Sequence, residues 1–310
     1  MSTLQTIRTT DRNFDELLRA RWAEGKFVCM GLDPTWGKIP LSVPGRFEGD
    51  DQELLEEAIA YYNFCTLVVD ATHDLVAAYK PNTAFFEAAG GAGYDMLRLL
   101  IRHINRVAPG VLVIVDAKRG DIGKTNIGSV RMIFDILGAD AVTVNPYFGF
   151  EALQPFLDRT GKGVIILCRT SNPGAGVLQN RLVDVGEAEM LNAGLDGSWE
   201  RMPLYQFLAL QARQWQSKAA VAVVVGATAP DELAEVRIIM PETVILIPGV
   251  GAQGGDLQLA VQGGMTTSSN GFLVNAGSKA LYASSGADFA QATRSEVIEM
   301  NRDIGALLVI

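Results

Sequence analysis

Chemically active side chains follow the apolar run 111–115, Val-Leu-Val-Ile-Val. Asp116 and Lys118 come directly after it, and Asp121 and Thr125 follow. Because strand side chains alternate between two faces, Asp116 and Lys118 are predicted to point to the same side. A lysine and carboxylates at the end of a buried strand cost desolvation free energy unless they are paired. Such a group favours a catalytic role, although a strand that ends in a solvated polar loop is the simpler alternative.

Short apolar runs recur along the chain and predict eight strands. Several runs are continuous and β-branched, as in Ala-Val-Ala-Val-Val-Val at 220–225, which indicates burial on both faces and a parallel sheet. The predicted strands are Phe27–Asp33, Leu75–Lys80, Val111–Lys118, Ala141–Asn145, Gly163–Arg169, Ala219–Gly226, Thr243–Pro248 and Gly271–Asn275. The predicted helices are Phe14–Ala23, Glu53–Asp70, Tyr94–Val107, Ile127–Leu137, Leu204–Ser217, Pro230–Met240, Asp256–Gly263 and Asp288–Leu307.

Eight strand-helix units in roughly 280 residues predict an α/β fold, a (β/α)8 TIM barrel with an extra N-terminal helix. We expect residues 1–310 to form one barrel domain, with 1–26 as a helical extension. The stretches Pro34–Asp51 and Ser171–Ser198 are longer than a simple barrel needs. Both follow strand carboxyl ends, where barrel enzymes place their chemistry, so we expect them to serve function.

Composition narrows the possible partners. The chain carries a net charge of −9, which argues against a general nucleic-acid binder. Its three scattered cysteines fit a reducing cytosol, and neither they nor the two histidines show metal-ligand spacing. The first 26 residues lack the apolar core of a signal peptide, and no segment approaches the ~20 apolar residues that span a bilayer. We therefore expect a soluble cytoplasmic protein without a metal, nucleic-acid or membrane partner.

In a barrel, polar side chains at strand carboxyl ends converge on one cavity. Lys80 ends the second predicted strand and Asp116 lies in the third, and neighbouring strands are about 4.8 Å apart, so the two side chains are expected to touch. Their attraction holds both groups charged and rigid. A structural ion pair that plugs the barrel mouth is the alternative. The converging set is Asp33, Lys80, Asp116, Lys118, Asn145, Ser171 and Gln253.

Two glycine-containing stretches are similar to nucleotide-binding motifs. Residues 249–254 satisfy G-x-G-x-x-G, but no acid follows about 20 residues later, and the motif comes after the seventh strand instead of the first. Barrels bind phosphate after strands seven and eight, so the backbone amides of 251–255, at a predicted helix start, suit a phosphate dianion. Residues 120–125 are similar to a P-loop but lack its first glycine, because position 118 is lysine.

Together these motifs resemble the orotidine 5′-monophosphate decarboxylase family. The pattern D-x-K-x-x-D-I-x-x-T over 116–125 is similar to that family's signature. The resemblance runs from about Phe14 to Tyr282, and the Ser171-Asn172-Pro173 stretch is similar to the bacterial second subgroup. The other agreeing motifs are Gly31-Leu32-Asp33-Pro34, Tyr79-Lys80-Pro81-Asn82, Thr170-Ser171-Asn172-Pro173 and Pro248-Gly249-Val250-Gly251-Ala252-Gln253-Gly254.

The resemblance implies conversion of orotidine 5′-monophosphate to uridine 5′-monophosphate, the last step of de novo pyrimidine synthesis, without a cofactor or metal. It implies that Lys118 protonates the pyrimidine C6 and that Lys80 lies beside Asp116. Asp121 and Thr125 would reach the ribose of a neighbouring subunit, so that a homodimer shares its sites. The implied substrate contacts are Asp33 on ribose, Ser171 on the pyrimidine, Gln253 on phosphate, and also Ile122, Thr125, Gly251, Gly254 and Lys279.

One position departs from the family pattern. The family usually has Ser-Arg before an Ala-Ile/Leu-Tyr-Ala-like run, whereas this chain has Ser278-Lys279-Ala280-Leu281-Tyr282. Arginine binds phosphate through two parallel hydrogen bonds, while lysine acts as a point charge. Either Lys279 suffices or the affinity for phosphate is reduced.

Two other functions stay open. One is a Mg²⁺-dependent sugar-phosphate decarboxylase or aldolase of the same barrel group; Thr125, Ser171 and Gln253 favour the nucleotide enzyme. The other is a catalytically silent barrel that binds a nucleotide monophosphate. The complete set of two lysines and two aspartates argues against a silent barrel.

Overall fold

The computed structural model describes residues 12–46, 54–192, 200–251 and 253–308, and each statement about structure refers to these ranges. Their strands are β1 (Val28–Leu32), β2 (Ala78–Pro81), β3 (Leu112–Arg119), β4 (Ala141–Val144), β5 (Gly163–Arg169), β6 (Leu182–Asp184), β7 (Arg201–Pro203), β8 (Ala220–Val225), β9 (Val244–Ile247) and β10 (Phe272–Ala276). Eight of them form a closed parallel barrel in the order β1-β10-β9-β8-β5-β4-β3-β2. The remaining two, β6 and β7, pair as a separate antiparallel hairpin.

Helices connect and surround the strands. The α-helices are α1 (Phe14–Ala23), α2 (Leu54–Thr72), α3 (Thr83–Glu87), α4 (Gly90–Val107), α5 (Gly123–Val130), α6 (Phe150–Leu157), α7 (Gly176–Gln179), α8 (Glu187–Asn192), α9 (Leu204–Gln214), α10 (Pro230–Ile239), α11 (Leu257–Gly264), α12 (Ser278–Leu281) and α13 (Phe289–Leu308). Short 3₁₀ helices cover Trp36–Lys38 and Pro146–Phe148, and a π-helix continues α5 over Arg131–Leu137.

The predicted (β/α)8 barrel is confirmed, with all eight predicted strands present and shifted by at most three residues at an end. The sequence pattern missed the β6-β7 hairpin and five helices, α3, α6, α7, α8 and α12. The hairpin strands have three residues each, which is too short for a period of two to emerge. Parts of the two predicted long insertions, 47–51 and 193–198, lie outside the described residues.

Two layers of apolar side chains make the core. Inward-facing residues such as Leu112, Ile165 and Leu273 fill the barrel, and Phe14 of α1 packs against the same cluster. A Cβ on Gly163 would lie 2.5 Å from the Phe14 ring, so glycine lets α1 close the amino end of the barrel. Outward-facing strand residues pack against the helices.

The extra N-terminal helix is therefore part of the barrel. It begins and ends at the predicted residues, and the Asn13 side chain caps it by accepting hydrogen bonds from the amides of Asp15 and Glu16. The three cysteines are buried and unpaired. No helix in the described ranges is long and apolar enough to cross a membrane.

Candidate active site

A buried carboxylate forms the centre of the site at the carboxyl ends of β2, β3 and β4. Asp116 Oδ2 accepts a hydrogen bond from Lys80 Nζ at 2.9 Å. Asp116 Oδ1 accepts one from Lys118 Nζ at 2.7 Å and another from the Thr143 hydroxyl, also at 2.7 Å. The predicted contact between Lys80 and Asp116 is thus present, and two cations and one hydroxyl share a single carboxylate.

Backbone geometry at Lys118 differs from that of a regular strand. The register of β3 against β4 shifts between Val115 and Arg119, and Lys118 has a φ of 45°. That left-handed conformation costs a non-glycine residue about 1–2 kcal/mol. As predicted, Lys118 and Asp116 lie on the same side. The cause differs from the predicted strand alternation, because a bulge brings the two side chains together.

The two lysines differ in their access to the cavity. The Lys80 side chain is only 7% exposed, whereas that of Lys118 is 50% exposed. Both are bonded to the same carboxylate. Lys118 is therefore the cation that can contact a bound molecule, while Lys80 supports Asp116 from within the barrel.

The buried Asp116 and Lys80 side chains both remain charged. Burial acts to raise the pKa of Asp116, but Lys80 and Lys118 outweigh it and hold that pKa well below its usual range. Burial likewise acts to lower the pKa of Lys80, and the carboxylates of Asp116 and Asp33 reverse the effect and raise it. Asp116 is consequently ionised and Lys80 protonated at neutral pH.

Asp33 follows β1 and contributes an unused acceptor. Its Oδ1 atom is buried without a hydrogen-bond partner. Burial raises the pKa of Asp33, and Lys80 only partly offsets that effect. The Tyr282 hydroxyl donates to the Asp33 carbonyl oxygen at 2.9 Å and accepts from the Thr35 amide at 2.8 Å, which fixes the backbone here. A buried acceptor held in this way suits a ligand hydroxyl group.

The loops after β5 and β9 meet at Gly249. A Cβ on that residue would lie 2.9 Å from Gln253 Oε1 and 3.2 Å from Ser171 Cβ, and its φ of 96° also requires glycine. Ser171 and Gln253, predicted to converge, are therefore close together on this side of the mouth. Asn145 was predicted to converge on the same cavity. Its side chain instead accepts a hydrogen bond from the Tyr147 amide and caps the 3₁₀ helix 146–148.

Helix α11 begins at Leu257, one residue after its predicted start, and Asp256 caps it. The glycine loop 249–255 therefore precedes the helix without forming part of it. The amides of Gly251, Gly254 and Gly255 donate to carbonyl oxygens inside the loop, at 3.0, 2.8 and 3.1 Å. They are thus not free to bind a phosphate in this conformation, and Ala252 lies outside the described residues.

Lys279 lies next to this glycine loop. Its Cδ atom would be 3.8 Å from a Cβ on Gly251. Its ammonium group forms an ion pair of 3.2 Å with Glu296 of α13. Lys279 thus lies beside the loop predicted to bind phosphate, and its ammonium group already has an acidic partner.

Asp121, Ile122 and Thr125 lie at the start of α5 with exposed side chains. Buried Asn126 holds this loop, because its amide group donates to the carbonyl oxygens of Asp121 at 2.5 Å and Ala152 at 2.6 Å. Within the residues that the structure describes, no hydrogen bond or ion pair joins these three side chains to the Asp116 cluster.

Sequence reasoning missed Thr143 and Tyr282. Thr143 is the one polar residue of the apolar run Ala-Val-Thr-Val in β4. Its position two residues before Asn145 places it on the inner face, and that signal was available in the sequence. Tyr282 gave no such signal, because it contacts residues about 250 positions earlier in the chain.

A closed parallel barrel with a charged cluster at the carboxyl ends of its strands has the architecture of a (β/α)8-barrel enzyme. The model of the orotidine 5′-phosphate decarboxylase / HUMPS family matches residues 26–292. The chain belongs to this family.

Individual members of this family are similar to the chain over nearly its whole length. The orotidine 5′-phosphate decarboxylase of Roseiflexus castenholzii is 42% identical over 296 residues, 95% of this chain and 98% of the relative. That of Cupriavidus metallidurans is 41% identical over 293 residues, 94% of this chain and 97% of the relative. The Leishmania donovani OMP decarboxylase structure has a TM-score of 0.76 and 33% identity, covering 96% of this chain and all of that one. The Leishmania donovani UMP synthase has a TM-score of 0.78 and 34% identity, and this chain spans 56% of its length.

Replacing the buried Asp33 carboxylate should stabilise the fold. Because burial raises the pKa of Asp33 in the folded state, stability is lost as pH rises from the unfolded value of about 3.9. Asp33→Asn is therefore expected to increase the free energy of unfolding at pH 7 by on the order of 1 kcal/mol, and the gain should shrink toward pH 4. Urea denaturation at both pH values measures this, with Asp184→Asn at an exposed site as the control. A variant less stable than wild type at pH 7 would contradict the expectation.

Proposed function

We propose that this chain decarboxylates orotidine 5′-monophosphate to uridine 5′-monophosphate in pyrimidine biosynthesis, without a cofactor. The Lys80-Asp116-Lys118 cluster at the barrel mouth carries the proposal, together with membership of the family. We also assign the enzyme to the cytoplasm, which the three unpaired cysteines support.

The charged cluster suits this reaction. When the bond between C6 and the carboxylate breaks, CO₂ leaves and the electron pair stays on C6 in the plane of the ring, where resonance gives little relief. A fixed cation must stabilise that charge, and the half-exposed Lys118 is the available one. Its Nζ proton then passes to C6. Asp116, placed beside the departing carboxylate, would disfavour the bound ground state.

Substrate contacts are assigned around this centre. Asp33, with its unused buried oxygen, accepts from a ribose hydroxyl. Ser171 contacts the pyrimidine, and Gln253 binds the phosphate beside the loop of Gly251 and Gly254. The closeness of Ser171 and Gln253 at Gly249 supports a ligand that extends from the charged cluster to this loop.

Removing the proton donor should abolish the reaction. Lys118→Ala is expected to lower kcat by at least about 10²-fold, because the ammonium is lost, while the buried pair of Lys80 and Asp116 keeps the barrel folded. Loss of orotidine monophosphate absorbance measures activity, and circular dichroism checks folding. Lys218→Ala, at the exposed amino end of the barrel, should behave as wild type.

The assay also separates the other functions. Activity that survives a chelator distinguishes the proposed enzyme from a Mg²⁺-dependent relative. A wild-type protein that binds the nucleotide without turnover would establish a silent barrel. A folded Lys118→Ala variant with near wild-type kcat would refute the role of Lys118.

We further propose a homodimer with shared sites. Asp121 and Thr125 are exposed on the rim of the barrel mouth. Among the residues that the structure describes, neither side chain bonds to the Lys80-Asp116-Lys118 cluster. Exposed apolar side chains lie on the same loop and on the adjoining one: Ile122 is 63% exposed and Tyr147 79%. The two loops adjoin, since a Cβ on Gly120 would lie 2.4 Å from the Asn145 carbonyl oxygen. A second copy would cover this apolar rim and receive Asp121 and Thr125 at its mouth.

Mixed dimers test the shared site. Lys118→Ala and Asp121→Ala proteins should each be inactive, yet mixing them should restore activity, because one site of each heterodimer carries neither change. After complete subunit exchange, half of the dimers are heterodimers, each with one intact site, so roughly a quarter of wild-type activity is expected. Mass spectrometry of differently tagged subunits verifies the exchange, and a mixture of Lys118→Ala with itself is the control. Verified heterodimers without activity would exclude a shared site.

Lys279 should set the affinity for the phosphate group. Lys279→Ala is expected to weaken binding of uridine monophosphate far more than that of uridine, because only the nucleotide presents a dianion. Lys279→Arg should tighten nucleotide binding by on the order of 1 kcal/mol through an additional charge-assisted hydrogen bond. Calorimetry with both ligands measures the two effects. Equal losses for the two ligands in Lys279→Ala would mean that the phosphate binds elsewhere.

A further inference from the structure

We propose that Thr143 is a positioning residue, whose single hydroxyl group sets the places of Asp116 and Lys118. Thr143 lies in β4 and is 1% exposed. Its hydroxyl donates to Asp116 Oδ1 at 2.7 Å, and its oxygen accepts from the Lys118 amide at 3.0 Å. One buried atom thus joins the carboxylate and the backbone of the proposed proton donor.

The chemistry of a hydroxyl group determines both bonds. A backbone amide can only donate, so the Thr143 oxygen must accept from Lys118. An ionised carboxylate can only accept, so the one hydroxyl proton must go to Asp116. Because Lys80 and Lys118 keep Asp116 ionised, this arrangement has no alternative orientation. A buried bond that satisfies donor and acceptor in this way restricts both partners.

The strained backbone at Lys118 explains why such a bond is needed. The ladder between β3 and β4 is interrupted between Val115 and Arg119, so strand pairing does not hold the Lys118 amide. The threonine side chain replaces that missing partner. Without it, a partly buried amide would lack this acceptor, and Lys118 would lose a restraint on its left-handed φ of 45°. Its ammonium group, two residues from Asp116, would then move relative to the substrate.

The inference rests on the proposed roles of Asp116 and Lys118. Kinetics can test the positioning role of Thr143 separately from those roles. Thr143→Val preserves the shape and removes the hydroxyl. It is expected to lower kcat by about 10- to 100-fold with less than about 3-fold change in KM, because misplacement of a reacting group affects the chemical step. Thr143→Ser keeps the hydroxyl and should stay within about 3-fold of wild type in kcat.

Thr293→Val is the matched control. Thr293 is also fully buried, and its hydroxyl donates to the Phe289 carbonyl oxygen in α13, away from the site. Its loss should lower thermal stability and leave kcat unchanged, which separates a structural effect from positioning. If Thr143→Val does not fold, Thr143→Cys replaces it, with kcat expected between the serine variant and Lys118→Ala.

The outcomes are distinct. Wild-type kcat in folded Thr143→Val or Thr143→Cys, with Lys118→Ala inactive, would overturn the positioning role and leave the proposed function intact. An active Lys118→Ala would instead overturn the assignment on which the inference rests. A loss of kcat in Thr143→Ser equal to that in Thr143→Val would also overturn it, because the hydroxyl would then not be the decisive group.

Discussion

The rest of the site depends on one ionised carboxylate held between two ammonium groups. A buried charge costs several kcal/mol unless it is paired, and Asp116 is paired with both Lys80 and Lys118. Parallel neighbouring strands supply the first partner, since β2 and β3 bring Lys80 and Asp116 together from positions 36 residues apart. The closed barrel then excludes water from one side of the cluster while its mouth leaves Lys118 accessible.

Two locally unfavourable features lie at this mouth. Lys118 has a left-handed backbone, and Asp33 holds a buried oxygen without a partner. Each feature opposes folding, and each serves the proposed chemistry, by placing the cation or by leaving an acceptor free for a hydroxyl group. The continuous apolar layers below and around the mouth offset these costs. The barrel therefore tolerates strain where a substrate would bind.

Close approach of loops shapes the opposite side of the mouth. Glycine at 226 and 249 lets the backbone after β5 come near the ends of β8 and β9, since a Cβ on Gly226 would lie 2.8 Å from Ser171 Cα. The 249–255 loop is closed by its own amide hydrogen bonds. Under the proposed function, recognition of the phosphate in this conformation would therefore fall to side chains such as Gln253 and Lys279.

The sequence by itself determined the barrel, its strands and the charged cluster. Continuous β-branched runs report burial on both faces, and polar residues at the ends of such runs must meet at one end of a parallel barrel. Only the tertiary structure decided the bulge at Lys118, the role of Thr143 and the internal bonding of the glycine loop. These depend on backbone dihedral angles and on register between residues such as Asp116 and Thr143, 27 positions apart. Local periodicity encodes burial, but it does not encode that register.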